Sequence, residues 1–127
     1  MTAVVDPKQK KFVMIGGRQS WMYNIASQGS SAPQALKTTG GDPIVESFYP
    51  GLAYDSTLGR IVAWQGGDTA YSLDLETRQW TAHTWPGGPG RPNINGTYKR
   101  WSYTPKLEAF IVLNFFDRNA YLLRLAN

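Results

Sequence analysis

One histidine and no cysteine in 127 residues narrow the chemistry open to this chain. Without a thiol there is no disulfide, no thiolate metal site and no cysteine nucleophile. The single histidine, His83, lies between Ala82 and Thr84 in a stretch that alternates like a strand. A general base needs a partner that orients the imidazole, and a metal needs several ligands, so His83 reads as a strand residue. Carboxylates are the next candidates. Asp6 and Asp55 open the turns DPKQK and DSTLG, where aspartate caps backbone N–H groups. Asp42 sits in the connection TGGDPIVESFYPG. Asp68 and Asp117 lie in better-placed loops, but an acid–base pair is defined by a separation that sequence does not give. No glycine-rich run stands between a strand and a helix, which excludes a phosphate loop. Asn95-Gly96-Thr97 fits a glycosylation acceptor, relevant only in a secreted eukaryotic protein. No catalytic residue, metal ligand or cofactor is assigned.

Binding is better served than catalysis. The segment WPGGPGRPNINGTYKR, residues 85–100, is long, polar and rich in glycine and proline. Loops of this kind on a rigid scaffold often carry ligands. The candidate ligand-binding residues are Arg18, Asp68, Trp85, Arg91, Asn93, Asn95 and Arg118. The competing reading makes them solvated turn residues, since turns select Asn, Asp and Gly by themselves. The net charge of +4 is scattered along the chain, without a basic run or helical basic stripe, so no nucleic-acid partner is expected. Nor is a membrane partner expected. The N-terminal stretch shows no apolar signal-peptide core, and no apolar run is long enough to span a bilayer. The compartment is left open.

The elements that must position these loops announce themselves by repetition. Trp21, Tyr71 and Tyr121 are 50 and 50 residues apart, and so are Ile25, Leu75 and Leu125. Asp6, Asp55 and Thr104 are 49 and 49 apart, as are Phe12, Ile61 and Phe110. One residue is gained inside each repeat, which a hairpin loop absorbs. Each repeat opens with a short strand (3–5, 52–54, 101–103) and a turn (DPKQK, DSTLG, TPKLE). An apolar run follows (FVMI, IVAW, FIVL), then a loop (GGRQS, QGGDT, FFDRN). The run is apolar on both faces, as in a strand covered by two layers. A third strand alternates, with Tyr71, Leu73 and Leu75 on one face. A fourth strand is expected at 80–85 and, more weakly, at 34–39. The fold class is all-β, one domain over 1–127 with repeats of about 1–50, 51–100 and 101–127. Its aromatic share of 13%, with 13 glycines and 8 prolines, suits short strands and many turns.

In the middle repeat, IVAW, Gly66-Gly67, Tyr71 and Trp80 resemble the kelch family and the related central domain of galactose-oxidase-like proteins. The first repeat keeps Gly16-Gly17 and has Trp21 in place of the tyrosine. The third replaces the glycines with Phe115-Phe116 and keeps Tyr121. The resemblance implies a partial β-propeller of four-stranded antiparallel blades. It also implies that Tyr71 and Trp80 fill the wedge between blades, and that the glycines reverse the chain where a side chain would clash. The copper chemistry of galactose-oxidase-like enzymes needs a cysteine-linked tyrosine and histidine ligands, so it is not carried over.

About two and a half blades cannot close a ring. An open arc leaves an apolar face at each end and an unpaired edge near residues 120–125, both of which favour association. The expected partners are copies of the chain or the rest of a longer propeller, with a protein or glycan ligand on the loop face. The expected function is a non-catalytic interaction module. The alternative is part of a propeller hydrolase or oxidase whose active site needs absent repeats or a neighbouring copy. An open meander or a β-sandwich would use the same strands but give the repeated landmarks no common environment.

Overall fold

The computed structural model describes residues 1–26 and 29–125. It is all-β, with three antiparallel sheets. The first contains β1 (Thr2–Asp6), β2 (Lys11–Gly16), β3 (Gln19–Asn24) and β4 (Gln34–Ala35). A one-turn helix, α1 (Asp42–Glu46), leads to the middle sheet. That sheet contains β5 (Gly51–Asp55), β6 (Arg60–Trp64), β7 (Thr69–Asp74) and β8 (Gln79–Thr84). A 3-10 turn at Tyr98–Arg100 enters the third sheet, β9 (Trp101–Thr104), β10 (Ala109–Val112) and β11 (Tyr121–Leu123). In every sheet the spatial order follows the chain order. The strands meet in the order in which the sequence supplies them.

Register repeats with the sequence. Trp21 pairs with Met14, Tyr71 with Ala63, and Tyr121 with Val112, each on the second strand of its sheet. The turn aspartates do what their type suggests. Asp6 accepts the Gln9 N–H at 2.9 Å, and Asp55 accepts those of Thr57 at 2.9 Å and Leu58 at 3.0 Å. Both carboxylates are buried, and these bonds offset the desolvation that burial would otherwise cost. Burial and the charges of Asp6 and Asp55 raise the pKa of the neighbouring Tyr54.

The middle sheet is apolar on both faces because it is covered on both. Leu52, Ile61, Ala63, Leu73 and Trp80 pack with Val13, Ile15 and Met22 of the first sheet. Ala53, Val62, Trp64 and Ala70 pack with Trp101, Phe110 and Val112 of the third. Successive residues of β6 thus point into opposite cores, which explains why IVAW shows no polar alternation. Trp80 closes the outer part of the first core and donates its indole N–H to Thr38 Oγ1 at 2.9 Å. Gly41 lies against this indole so closely that a Cβ there would sit 2.3 Å from ring carbon.

Two details depart from the sequence reading. The connection 39–51 is not wholly irregular: Pro43 falls in the first turn of α1, and Ile44 is fully buried in the first core. The fourth strand of the first sheet shrinks to two residues, and Leu36 beyond it takes a buried place in the same core. Thr39 instead bridges to Gln79 of the middle sheet.

Candidate functional site

The connections between sheets run over the hairpin loops that join second and third strands. In the first sheet, Gly17 and Arg18 donate their backbone N–H groups to Ser47 and Val45 at 2.9 and 2.8 Å. In the middle sheet, Gly67 donates to Gly90 at 2.7 Å and Trp85 donates to Asp68 at 3.0 Å. Gly66 lies close under the connection: a Cβ there would meet Pro92 Cδ at 2.4 Å, and its φ is +118°. The glycine pair therefore serves as a seat for the 85–100 connection.

The far side of that connection is held by Asn114, which is almost wholly buried. Its side-chain oxygen accepts the Asn93 N–H at 2.9 Å, and its amide donates to the Arg91 carbonyl at 2.6 Å. The Asn93 amide returns a bond to the Asn114 carbonyl at 3.0 Å, and Asn93 Oδ1 accepts the Asn95 N–H at 2.9 Å. Residues 91–95 are thus clamped to the third sheet by a satisfied amide network.

Above this clamp lies an open groove of about 660 Å³, lined by Pro89, Arg91, Pro92, Ile94, Phe115 and Arg118. Neighbouring depressions continue it toward Asp117, Asn119 and Tyr121 on one side, and toward Phe48, Tyr49 and Asn93 on the other. The Arg118 guanidinium stands 5.9 Å from the Phe115 ring centroid, and its Nε lies 3.9 Å from the Asp117 carboxylate. Both side chains of that ion pair are mostly exposed, so the pair holds Arg118 only loosely. Ile94 and Phe116 are 93% and 94% exposed. Two guanidinium groups beside proline, isoleucine and phenylalanine side chains can grip an anionic or hydroxyl-rich group while covering an apolar one.

The seven residues singled out from the sequence separate into four sets. Arg91 and Arg118 line the groove, and Asn93 lines its extension. Asp68 and Trp85 lie outside the groove: Asp68 is exposed and accepts the Gly88 N–H at 2.8 Å, and Trp85 is half-buried against the second core. Asn95 forms the turn after Asn93. Arg18 lies on the first sheet's hairpin at a φ of +66° and lines none of these depressions. Asn114 escaped the sequence reading because it ends the apolar run FIVLN, where a lone amide looks like the start of a loop.

Away from the groove, His83 Nε2 lies 2.9 Å from Ser72 Oγ. Burial, then the Arg60 charge, lowers its pKa below the usual imidazole value. At the opposite end of the strands, Asp6, Lys8, Gln9, Arg60, Asp74 and Glu76 line a polar depression. Gln9 donates to Glu76 at 3.0 Å, and Arg60 stands 3.7 Å from Asp74. Among the described residues, no three His, Asp or Glu side chains gather in a way that could hold a metal ion. No helix among them is long and apolar enough to cross a membrane.

No family model, no curated protein and no solved structure matches this chain.

Proposed function

We propose that the chain is a non-catalytic interaction module of kelch-like β-propeller type. It self-assembles or completes a larger propeller, and it binds a protein or glycan through its loop face. The propeller part of this reading is supported by three successive sheets stacked face to face with one repeated strand register. The binding part rests on one observation: Arg91, on the connection that Asn114 and Gly66 hold in place, and Arg118, on the segment between β10 and β11, stand at one groove with apolar side chains between them. The clamped backbone of residues 91–95 loses little further entropy when the groove is occupied.

A glycan array and a panel of immobilised peptides, probed with the intact chain, test the proposal. Binding without turnover is the expected result. The double variant Arg91→Ala/Arg118→Ala should weaken it at least about tenfold, the usual loss for deleted charge-assisted hydrogen bonds. Arg18→Ala should leave it unchanged. Binding that ignores the two groove arginines would overturn the proposal. So would turnover abolished by Asp117→Asn, which would favour an enzyme.

A further inference from the structure

We infer that the outer face of the third sheet docks onto the outer face of the first sheet of a second copy. The association is head to tail and repeats the packing already used twice inside the chain. The inference deepens the self-assembly half of the proposed function and rests on it.

The middle sheet supplies the template. Its face toward the first sheet presents Ile61, Ala63, Tyr71 and Leu73. At the same register positions, the first sheet carries Phe12, Met14, Trp21 and Tyr23 on the side turned away from the middle sheet. Among the described residues no sheet covers them: these four side chains are half-buried, Phe12, Met14 and Tyr23 line an open depression whose rim includes Ile25 and Ser31, and Val5 beside Phe12 is 44% exposed. At the other end, Val13, Ile15 and Met22 are the first-sheet residues that enter the middle sheet's core. The third sheet carries Ile111, Leu113 and Leu122 at the corresponding positions, turned away from the core formed by Phe110 and Val112. Leu122 is 59% exposed.

The two free faces are therefore different and complementary. One is of the kind that receives aliphatic side chains, and the other is of the kind that inserts them. The strand residues named on the two faces are uncharged; Arg124, which alternates with Leu122, is held by the bond from its Nε to the Leu107 carbonyl at 3.0 Å. Depletion of charge marks the centre of an interface. A face that matched itself would give a two-fold contact, whereas unlike faces give a heterologous one that closes by rotation. Two copies are the smallest set that covers every free face.

Light scattering with two one-sided blocks is the test. Tyr23→Glu blocks only the receiving face, and Leu122→Glu blocks only the inserting face. The wild-type chain should run at twice the 14.2 kDa of one chain, and each variant alone should run at the single-chain mass. An equal mixture of the two variants should recover a 1:1 pair, since one good interface survives between them. A wild-type chain that stays single at about 100 μM sinks the inference together with self-assembly. A larger wild-type mass that neither variant reduces, or that mixing does not restore, sinks the head-to-tail geometry alone. Should a glutamate variant unfold, Tyr23→Cys and Leu122→Cys serve instead, because the chain has no cysteine of its own. A short bis-maleimide should join the two in a mixture and neither by itself. Cross-linking of Leu122→Cys alone would indicate a two-fold contact and refute the inference.

Discussion

The two cores on either side of the middle sheet use one backbone plan and unlike side chains. Toward the first sheet the filling is mainly aliphatic, with Val13, Ile15, Leu52, Ile61 and Leu73 at its centre. Toward the third it is aromatic: Trp101 stacks on Phe110 at 4.6 Å and 7°, and on Trp64 at 6.2 Å and 17°. Trp101 also donates its indole N–H to the Val62 carbonyl at 3.0 Å. The positions correspond one to one, with Trp101 where the middle sheet has Leu52 and Phe110 where it has Ile61. The difference follows from what else is available to fill the gap. Ile44 and Leu36, from the connection, enter the first core. The second core draws fewer buried residues from outside the strands, and large rings make up the volume.

The largest effect should come from removing the ring at the centre of the aromatic core. Trp101→Ala is expected to cost about 4 kcal/mol, because removing a fully buried indole leaves a large cavity between Trp64 and Phe110. Ile61→Ala in the aliphatic core should cost about 3 kcal/mol, since smaller side chains leave a smaller void. Urea unfolding of both variants checks the ranking. Equal losses would mean that the two cores are energetically alike despite their different filling.

A second contrast separates two adjacent glycines. Gly66 has φ +118° and presses on Pro92, whereas Gly67 has φ +76° with nothing within 4 Å of an added Cβ. Gly66→Ala should cost about 2–3 kcal/mol, combining an overpacking term with a backbone one. Gly67→Ala carries only the left-handed backbone penalty, about 1 kcal/mol. The same urea curves decide it, and the effect should be local to the 85–100 connection. If the order were reversed, the seat for Pro92 would not be what requires glycine.

Much of this arrangement is legible in the chain because it is repeated. The intervals of 49 and 50 residues correspond directly to strand register, and the apolar run IVAW announces a strand covered twice. Asp6 and Asp55 cap turns as their sequence context implies. What stayed hidden depends on contacts between segments distant in sequence. Ile44 gives no sign in DPIVE that it enters a core, and Leu36 follows a strand of only two residues. In the loop face, the arginines were visible as residue types, but the clamp that fixes Arg91 and Asn93 depends on Asn114, 21 residues beyond Asn93. Nor could the sequence show that Asp68, though exposed, accepts the Gly88 N–H, or that Trp85 is half-buried against the second core.

The smallest expected effect belongs to the histidine on the face of the middle sheet turned toward the aromatic core. His83 has its pKa lowered in the folded chain, first by burial and then by Arg60. As pH falls through the ordinary value of 6.5, the unfolded chain takes up the proton before the folded one does. The contribution to stability is therefore complete above that value and is lost as pH falls below it, until the folded form also protonates. Carboxylates titrate nearby in pH, so the wild-type melting curve alone does not isolate this histidine. The difference between wild type and His83→Gln does, since every other group is common to both. Between about pH 7.5 and pH 5.5 the wild type should lose slightly more Tm than the variant. The 2.9 Å contact with Ser72 survives in either state, because the hydroxyl can donate to a neutral Nε2 or accept from a protonated one, so burial and the Arg60 charge set the sign. An equal loss in the two proteins would mean that the imidazole is as free to protonate in the folded chain as in the unfolded one, and that burial on this face is too slight to distinguish it from solvent.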